Sequence, residues 1–324
     1  MFPARFLLAQ KNVMELSNMY KTNFDFIVER AKASLKPLRV AVAGADSENI
    51  LLGTFDAVDA GFMEAILVGN EEKITALLKK LNLTDKPYTL VAENDENAVV
   101  QTSIDLIRSG KADVLLRGST QTRDFLLPIL DKKNGLVPAG NLLTHIALLK
   151  LPDYDRLLAI SDVTMLVRPN ISERKKVVQN MVHTLKALGY EHPNIALLSL
   201  VETPAFHMPD TIESQTIVHD HHDTPIADCE LVGPIAYDLI ISKEAARLKN
   251  YDCPLCGEFD GIVVPNLLAG NLLVKALQMH DHSISCGVIV GANIPIAITS
   301  RSDSREKVFL SLAACAAIPA QSAE

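Results

Sequence analysis

Short runs of aliphatic and β-branched residues alternate with longer amphipathic stretches through most of the 324-residue chain. That alternation is typical of strands covered by helices, so the sequence predicts an α/β fold with mainly parallel strands. Most of the runs end in glycine, asparagine, proline or a hydroxyl residue, at the strand ends where ligands collect in open α/β sheets. Nine strands are predicted, at residues 38–43, 65–68, 88–91, 114–116, 145–149, 195–198, 262–264, 288–290 and 296–299.

Amphipathic stretches with usable start and stop signals predict helices at residues 46–60, 71–81 and 172–188. The segment 132–141, KKNGLVPAGN, gathers Gly, Pro and Asn between two regular regions, which predicts a domain crossover there. A chain of this length usually forms about two domains, so the sequence favours two over one.

The charge balance excludes one class of partner. Lys and Arg number 31 against 39 Asp and Glu, and the net charge of −8 repels a phosphate polymer, so nucleic acid is not an expected partner. No apolar run approaches the roughly 20 residues of a membrane helix, and the opening MFPARFLLAQK lacks the small-residue cleavage site of a secretory signal. We expect a cytoplasmic protein that does not bind membranes.

The cysteines and histidines give no clear metal site. Five cysteines are an odd number for a disulfide framework, and we expect them to be reduced. Cys253 and Cys256 form a lone CPLC motif, which favours a turn with two thiols over a redox pair or half of a zinc site. The histidines and aspartates at 219–223 are adjacent in sequence, so their side chains diverge and we expect no shared metal ion.

The first candidate site is ADVLLRGSTQTRDFL, residues 112–126, where a buried strand is followed by the start of a helix. Free backbone N–H groups at a helix N-terminus favour phosphate, and hydroxyl and guanidinium groups add donors. A glycine at the turn lets a ligand approach the backbone. The alternative is an ordinary capped helix with two solvent-facing arginines. The candidate phosphate ligands are Arg117, Gly118, Ser119, Thr120, Thr122 and Arg123.

The second candidate is IPIAITSRSDSREK, residues 294–307, in which an apolar strand runs directly into Thr299, Ser300 and Arg301 before a helix starts. An arginine beside a hydroxyl at a strand end suits a phosphate or acyl phosphate, because its fork spans two oxygens. The alternative is a serine N-cap with a surface arginine.

The third candidate, VVPNLLAGNLLVKAL at 263–277, has neither the GxxxxGK[ST] spacing of a P-loop nor the GxGxxG of a dinucleotide fold. Its Lys275, one turn into the expected helix, either meets a ligand or points into solvent. His145, at the start of a predicted strand, is either a base or a buried histidine of the core.

Read together, three segments resemble the phosphate acetyltransferase and phosphate butyryltransferase family: VGPIAYDLIISKEAARLKN, GIVVPNLLAGNLLVKAL and GANIPIAITSRSDSREKVFLSLA. The resemblance extends upstream through KADVLLRGSTQTRDFL, ISDVTMLVRPN and VAVAGADSENIL, and covers nearly the whole chain after about residue 37. The DLIISKEAA form and the TSRSDS ending look more like the butyryltransferase branch, which implies an acyl group longer than acetyl.

The resemblance implies a reversible transfer of an acyl group between coenzyme A and inorganic phosphate, without a covalent enzyme intermediate. It also implies a cleft between two α/β domains, in a fold similar to that of isocitrate and isopropylmalate dehydrogenases. The first domain would comprise residues 1–136 and 295–324, and the second residues 137–294. Family members are generally homodimers or larger assemblies. Coenzyme A enters as a substrate, and no tightly bound cofactor is expected.

The family pattern also implies roles for single residues. Ser300 matches the serine beside the thiol, and Arg301 matches the arginine on phosphate. In the acetyltransferases an aspartate seven positions beyond that serine is taken as the base, but Lys307 occupies this position, which leaves Asp303 and Glu306 as candidate bases.

The family's second arginine falls on Leu127, and Arg123, one helical turn earlier, lies on the same face to replace it. His145 and Thr299 join the substrate-binding set. The candidate coenzyme A ligands are Asn266, Gly270, Asn271 and Lys275.

Two other functions stay open at this point. One is a coenzyme A-binding protein of the same fold with lost or altered activity, which the departures at Lys307 and Leu127 motivate. The other is an oxidoreductase resembling decarboxylating dehydrogenases, because fold alone does not determine chemistry.

Overall fold

The structure is a computed structural model that describes residues 23–300 and 303–318. Within these residues one sheet is formed by eleven strands, of which β6 and β8 were not predicted. The strands are β1 (Leu38–Ala43), β2 (Met63–Gly69), β3 (Tyr88–Ala92), β4 (Val114–Arg117), β5 (Thr144–Lys150), β6 (Leu157–Ser161), β7 (Asn194–Leu198), β8 (Glu230–Ile235), β9 (Gly261–Val263), β10 (Ile284–Val290) and β11 (Ile296–Ala297).

The helices include all three that the sequence predicts, with ends that differ by at most two residues. They are α1 (Asp25–Lys32), α2 (Glu48–Asp59), α3 (Glu71–Lys80), α4 (Val99–Arg108), α5 (Thr122–Ile129), α6 (Ile171–Ala187), α7 (Pro209–Asp223), α8 (Tyr237–Ile241), α9 (Lys243–Lys249), α10 (Leu267–Gln278) and α11 (Arg305–Ala317). None of the helices in the described ranges is long and apolar enough to span a bilayer.

The strand order across the sheet is β3-β2-β1-β4-β11-β10-β5-β6-β9-β7-β8. Most pairings are parallel, as predicted, but β5 and β10 run antiparallel to each other, β10 runs antiparallel to β11, and β5 to β6. One side of the sheet is built from residues 38–117 and 296–297, and the other side from residues 144–290. The antiparallel strands therefore lie in the middle, where the two sides join.

Alternation along the strands divides the core between two faces. Val40 and Val42 of β1 face a cluster that includes α1, α2, α6 and α11, whereas Ala41 and Ala43 face the opposite way. On this second face, one apolar cluster packs under α4 and α5, and a separate one packs under α8 and α10. The second face thus has two helical blocks rather than one, and the candidate site lies between them.

Candidate active site

A cavity of about 270 Å³ lies over β5 and β10, with α5 on one side and α10 on the other. Three cations reach it from different elements: Arg117 at the end of β4, Lys275 on α10 and Lys307 on α11. The carboxylate of Asp303 also contributes to its wall. The cavity has a net positive lining and accordingly suits an anion.

Arg117 is fixed at the end of its strand. The residue is only 4% exposed, and its guanidinium donates a hydrogen bond to the hydroxyl of Thr122, the first residue of α5. Thr299, buried just beyond β11, donates from Oγ1 to the backbone oxygen of Arg117 at 3.3 Å. The first and second candidate stretches, far apart in sequence, therefore meet because β4 and β11 are neighbouring parallel strands.

Ser300 and Asp303 are joined to each other and to Lys307 in the lining of the cavity. The backbone N–H of Ser300 donates to Oδ2 of Asp303 at 2.5 Å, and the ammonium of Lys307 lies 2.9 Å from Oδ1. The side chains of Asp303 and Lys307 are 11% and 18% exposed, so this ion pair is largely shielded from water. Lys307, at the position where the family pattern expects an acid, thus holds the nearest carboxylate in place.

His145 lies at the floor of the cavity. Its Nδ1 and the hydroxyl of Thr164 form a hydrogen bond of 2.6 Å. A Cβ on Gly287 would lie 2.4 Å from Nε2 of His145, so the ring rests directly against that glycine. Burial, assisted by the charges of Lys307 and Arg117, lowers the pKa of His145 to about 3. The imidazole is therefore neutral at pH 7 and a weak base.

Asp162, which sequence reasoning missed, organises the loop that carries Thr164. Its Oδ1 accepts hydrogen bonds from the backbone N–H groups of residues 164, 165 and 166, and its Oδ2 accepts one from His145 at 2.6 Å. Burial raises the pKa of Asp162, and these four donors oppose that shift. The carboxylate therefore connects β5 to the β6–α6 loop beneath the cavity.

A second cavity, of about 550 Å³, opens beyond the carboxyl ends of β1 to β4 and shares Ser300 and Asp303 with the first. Gly118, Ser119 and Thr120 line this larger cavity rather than the smaller one. The described residues of its lining include a single cation, Lys73, against five carboxylates: Asp46, Glu93, Glu96, Asp124 and Asp303. Its lining is therefore acidic and disfavours a polyanion.

Gly118 has a packing role in addition to its place in that lining. A Cβ at this position would lie 1.9 Å from the backbone oxygen of Gly44 and 2.7 Å from its carbonyl carbon. The absent side chain thus lets the loop after β1 approach the loop after β4. We expected the glycine to admit a ligand, but the structure places the neighbouring backbone there.

The third candidate stretch runs from the end of β9 into α10, and its residues have different roles. Asn266 is the N-cap, and its Oδ1 accepts from the backbone N–H of residue 269 at 3.0 Å. Gly270 is buried, and a Cβ there would lie 2.5 Å from the backbone oxygen of Asp162, so it permits close helix packing. Asn271 and Lys275 line the smaller cavity. Lys275 lies in the last turn of α10, not one turn after its start as predicted.

Three other predicted site residues are not placed in either cavity. Arg123 is exposed on α5, and Glu306 is exposed in the first turn of α11. Arg301 lies outside the described residues. Among the titratable residues of the described chain, no group of three or more His, Cys, Asp or Glu has the arrangement of a metal site.

The comparisons with known proteins identify the family of the chain. Residues 91–317 match the model of the family described as phosphate acetyl/butaryl transferase, which is well over half of the chain. The chain belongs to this family. The resemblance predicted from the sequence motifs is therefore confirmed, and with it the assignment to an enzyme family of transferases.

Two curated relatives cover almost the whole chain. The phosphate butyryltransferase of Clostridium acetobutylicum is 31% identical over 296 residues, which are 91% of this chain and 98% of that protein. The phosphate acetyltransferase of Thermotoga maritima is 30% identical over 287 residues, 89% of this chain and 96% of that one. The chain is thus about equally similar in sequence to this butyryltransferase and to this acetyltransferase.

Solved structures show the same fold. A branched-chain phosphotransacylase from Enterococcus faecalis has a TM-score of 0.77 at 30% identity, covering 88% of this chain and 100% of that one. A 4-hydroxythreonine-4-phosphate dehydrogenase from Burkholderia phymatum has a TM-score of 0.54 at 12% identity, covering 89% and 100%. The predicted dehydrogenase-like α/β fold is confirmed, and the likeness to that dehydrogenase extends to fold alone.

Proposed function

We propose that this enzyme transfers a short acyl group reversibly between coenzyme A and inorganic phosphate by direct attack in a ternary complex. An oxygen of hydrogen phosphate bonds to the thioester carbonyl carbon, the carbon–sulfur bond breaks, and the proton of the phosphate passes to the leaving thiolate. The products are the acyl phosphate and free coenzyme A. Family membership and the two curated branches support this reaction.

The observation that carries the proposal is the cationic lining of the smaller cavity. Arg117, Lys275 and Lys307 reach it from separate elements, next to the hydroxyl of Thr299 and the backbone of Ser300. Holding phosphate against a thioester brings two anions together, so the reaction needs positive charge and fixed orientation more than it needs a covalent nucleophile.

We assign the phosphate to the side of the cavity formed by Arg117 and Thr122, whose hydroxyl lies at the N-terminus of α5. Ser300 would lie next to the thiol, as the family pattern implies. Arg301 is assigned to phosphate on the family pattern alone. Asp303, held by Lys307, is the carboxylate best placed to accept or return the proton, whereas Glu306 is exposed and is not part of the lining.

Coenzyme A would enter along α10. Asn271 and Lys275 line the cavity, and we assign them to the part of coenzyme A close to its thiol. The acidic lining of the larger cavity supports this route, because four phosphate charges would be repelled there.

We further propose that the chain forms two domains, residues 1–136 with 295–324 and residues 137–294, that it assembles as a homodimer or larger, and that it works in the cytoplasm. Each side of the sheet is built from strands of only one of these two proposed domains, which supports the division. The five cysteines, all unpaired, support a reducing compartment.

The proposal is tested by following thiol release from acetyl-, propionyl-, butyryl- and isobutyryl-CoA with and without orthophosphate, together with the ³¹P NMR signal of the acyl phosphate. We expect stoichiometric release of thiol and formation of acyl phosphate, both dependent on orthophosphate. Tight coenzyme A binding without any release would instead support the binding protein with lost activity.

A further inference from the structure

Part of the lining of the smaller cavity is apolar. It is formed by Ala147 of β5, Val163 of the β6–α6 loop and Val274 of α10. These three residues are 3%, 3% and 7% exposed and belong to the same apolar cluster. A ligand in the cavity therefore meets both charged and apolar side chains.

The strands beneath the cavity carry small residues among the positions that line it. Ala147 is paired with Gly287 across the antiparallel strands β5 and β10, so their side-chain positions lie on the same face. The ring of His145 already covers the space above Gly287. Ala147 lies beside Gly287 in the lining, and we expect a larger side chain at this position to take up cavity space.

The two valines are held by contacts that fix their positions. Asn271 donates from Nδ2 to the backbone oxygen of Val163 at 3.1 Å, which ties the loop to α10. Gly270 brings the same helix close to the backbone of Asp162. Val274 lies one turn beyond Gly270 on the side of α10 that packs on the sheet. The apolar wall is thus built on rigid elements, as selectivity for shape requires.

We propose that Ala147, Val163 and Val274 form the subsite for the acyl chain beyond its carbonyl, and that this subsite favours a chain of three or four carbons over acetyl. The inference rests on the proposed function and adds the substrate class to it. With the phosphate at Arg117 and Thr122, the chain of the thioester would lie against these three apolar side chains. An acetyl methyl would leave the apolar wall without contacts, and each methylene that fills it gains burial.

The test compares kcat/KM for acetyl-, butyryl- and isobutyryl-CoA at saturating phosphate. The wild type is expected to prefer butyryl over acetyl by roughly 10-fold or more, as for added methylenes in an apolar pocket. Ala147→Leu adds three carbon atoms to the floor, as many as butyryl carries beyond its carbonyl. It should lower the butyryl-to-acetyl ratio by roughly 10-fold, mainly by loss of butyryl activity.

Val274→Ala enlarges the same wall and should shift the preference toward longer or branched chains. Val232→Ala is the matched control, since Val232 is a partly buried valine of the same cluster on β8, away from the cavity. It should leave the ratios unchanged. If Ala147→Leu does not fold, Val163→Ala and Val274→Ala still test the subsite, because they enlarge it and should shift the preference toward longer chains.

Folded variants at these three positions with wild-type acyl-CoA ratios, or a wild type that prefers acetyl, would overturn the subsite while leaving the transferase reaction intact. Failure of every acyl-CoA to release thiol in the presence of phosphate would instead refute the proposed function, and the subsite with it.

Discussion

Replacing Arg117 tests whether the cationic wall drives catalysis. The guanidinium is nearly buried, and a phosphate at hydrogen-bond distance would lie about 4 Å from its charge centre. At an effective dielectric near 20, two unit charges at that separation interact by about 4 kcal/mol. Loss of one donor to a transition state costs roughly 10² to 10³ in kcat. We therefore expect Arg117→Met to lower kcat/KM for phosphate by roughly 10² to 10³.

The assay is thiol release from butyryl-CoA at varied phosphate, with circular dichroism and the Tm to show that the variant is folded. Arg117→Lys keeps the charge but not the fork and should fall between wild type and Arg117→Met. Arg247→Met removes an exposed arginine paired with Glu244 and serves as the matched control. A folded Arg117→Met variant with the wild-type kcat/KM for phosphate would refute the reasoning.

Four further predictions concern the groups around the cavity. Because the folded pKa of His145 is about 3 and its unfolded value about 6.5, the unfolded state binds the extra proton, so stability is full above pH 6.5 and falls as pH drops toward 3. Urea unfolding should show a slope of up to about 1.4 kcal/mol per pH unit that is reduced in His145→Gln; equal slopes would argue against a buried neutral imidazole. Asp162→Asn should cost about 2 kcal/mol in the free energy of unfolding, since the carboxylate accepts four backbone donors, and a Tm equal to wild type would contradict that role. Gly118→Ala should cost about 1–3 kcal/mol because its Cβ would meet Gly44, measured by urea unfolding; an unchanged midpoint would show that the two loops move apart freely. A double-mutant cycle of Asp303→Asn and Lys307→Met should give a coupling of about 0.5–1 kcal/mol in the free energy of unfolding, and additive effects would show that the pair is not formed in solution.

The sequence predicted the strands whose apolar runs are bounded by turn residues, and it missed two others for identifiable reasons. β8 contains Gly233 and Pro234, which argue against a strand, but it lies at the edge of the sheet, where the missing N–H of proline is tolerated. β6 follows β5 after a six-residue connection and runs antiparallel to it, whereas the prediction assumed parallel strands with helical crossovers.

The site was predictable only as far as strand ends and helix starts indicate it. Arg117 is the last residue of β4 and Thr299 lies just beyond β11. These two strands are neighbours, so the two candidate stretches meet. Asp162 gave no signal, because a carboxylate in a polar loop does not indicate that four backbone donors will surround it. The apolar wall was also hidden, since Ala147 and Gly287 become neighbours only through the register of an antiparallel pair.

The central claim is that orthophosphate binds in the smaller, cationic cavity and not in the larger, acidic one. A crystal structure with orthophosphate and desulfo-coenzyme A, which lacks the reacting thiol, tests this most directly. We expect phosphate within hydrogen-bond distance of Arg117 and Thr122, facing Lys307, and the coenzyme along α10. Phosphate bound instead among Asp46, Glu93 and Asp124 would contradict the account.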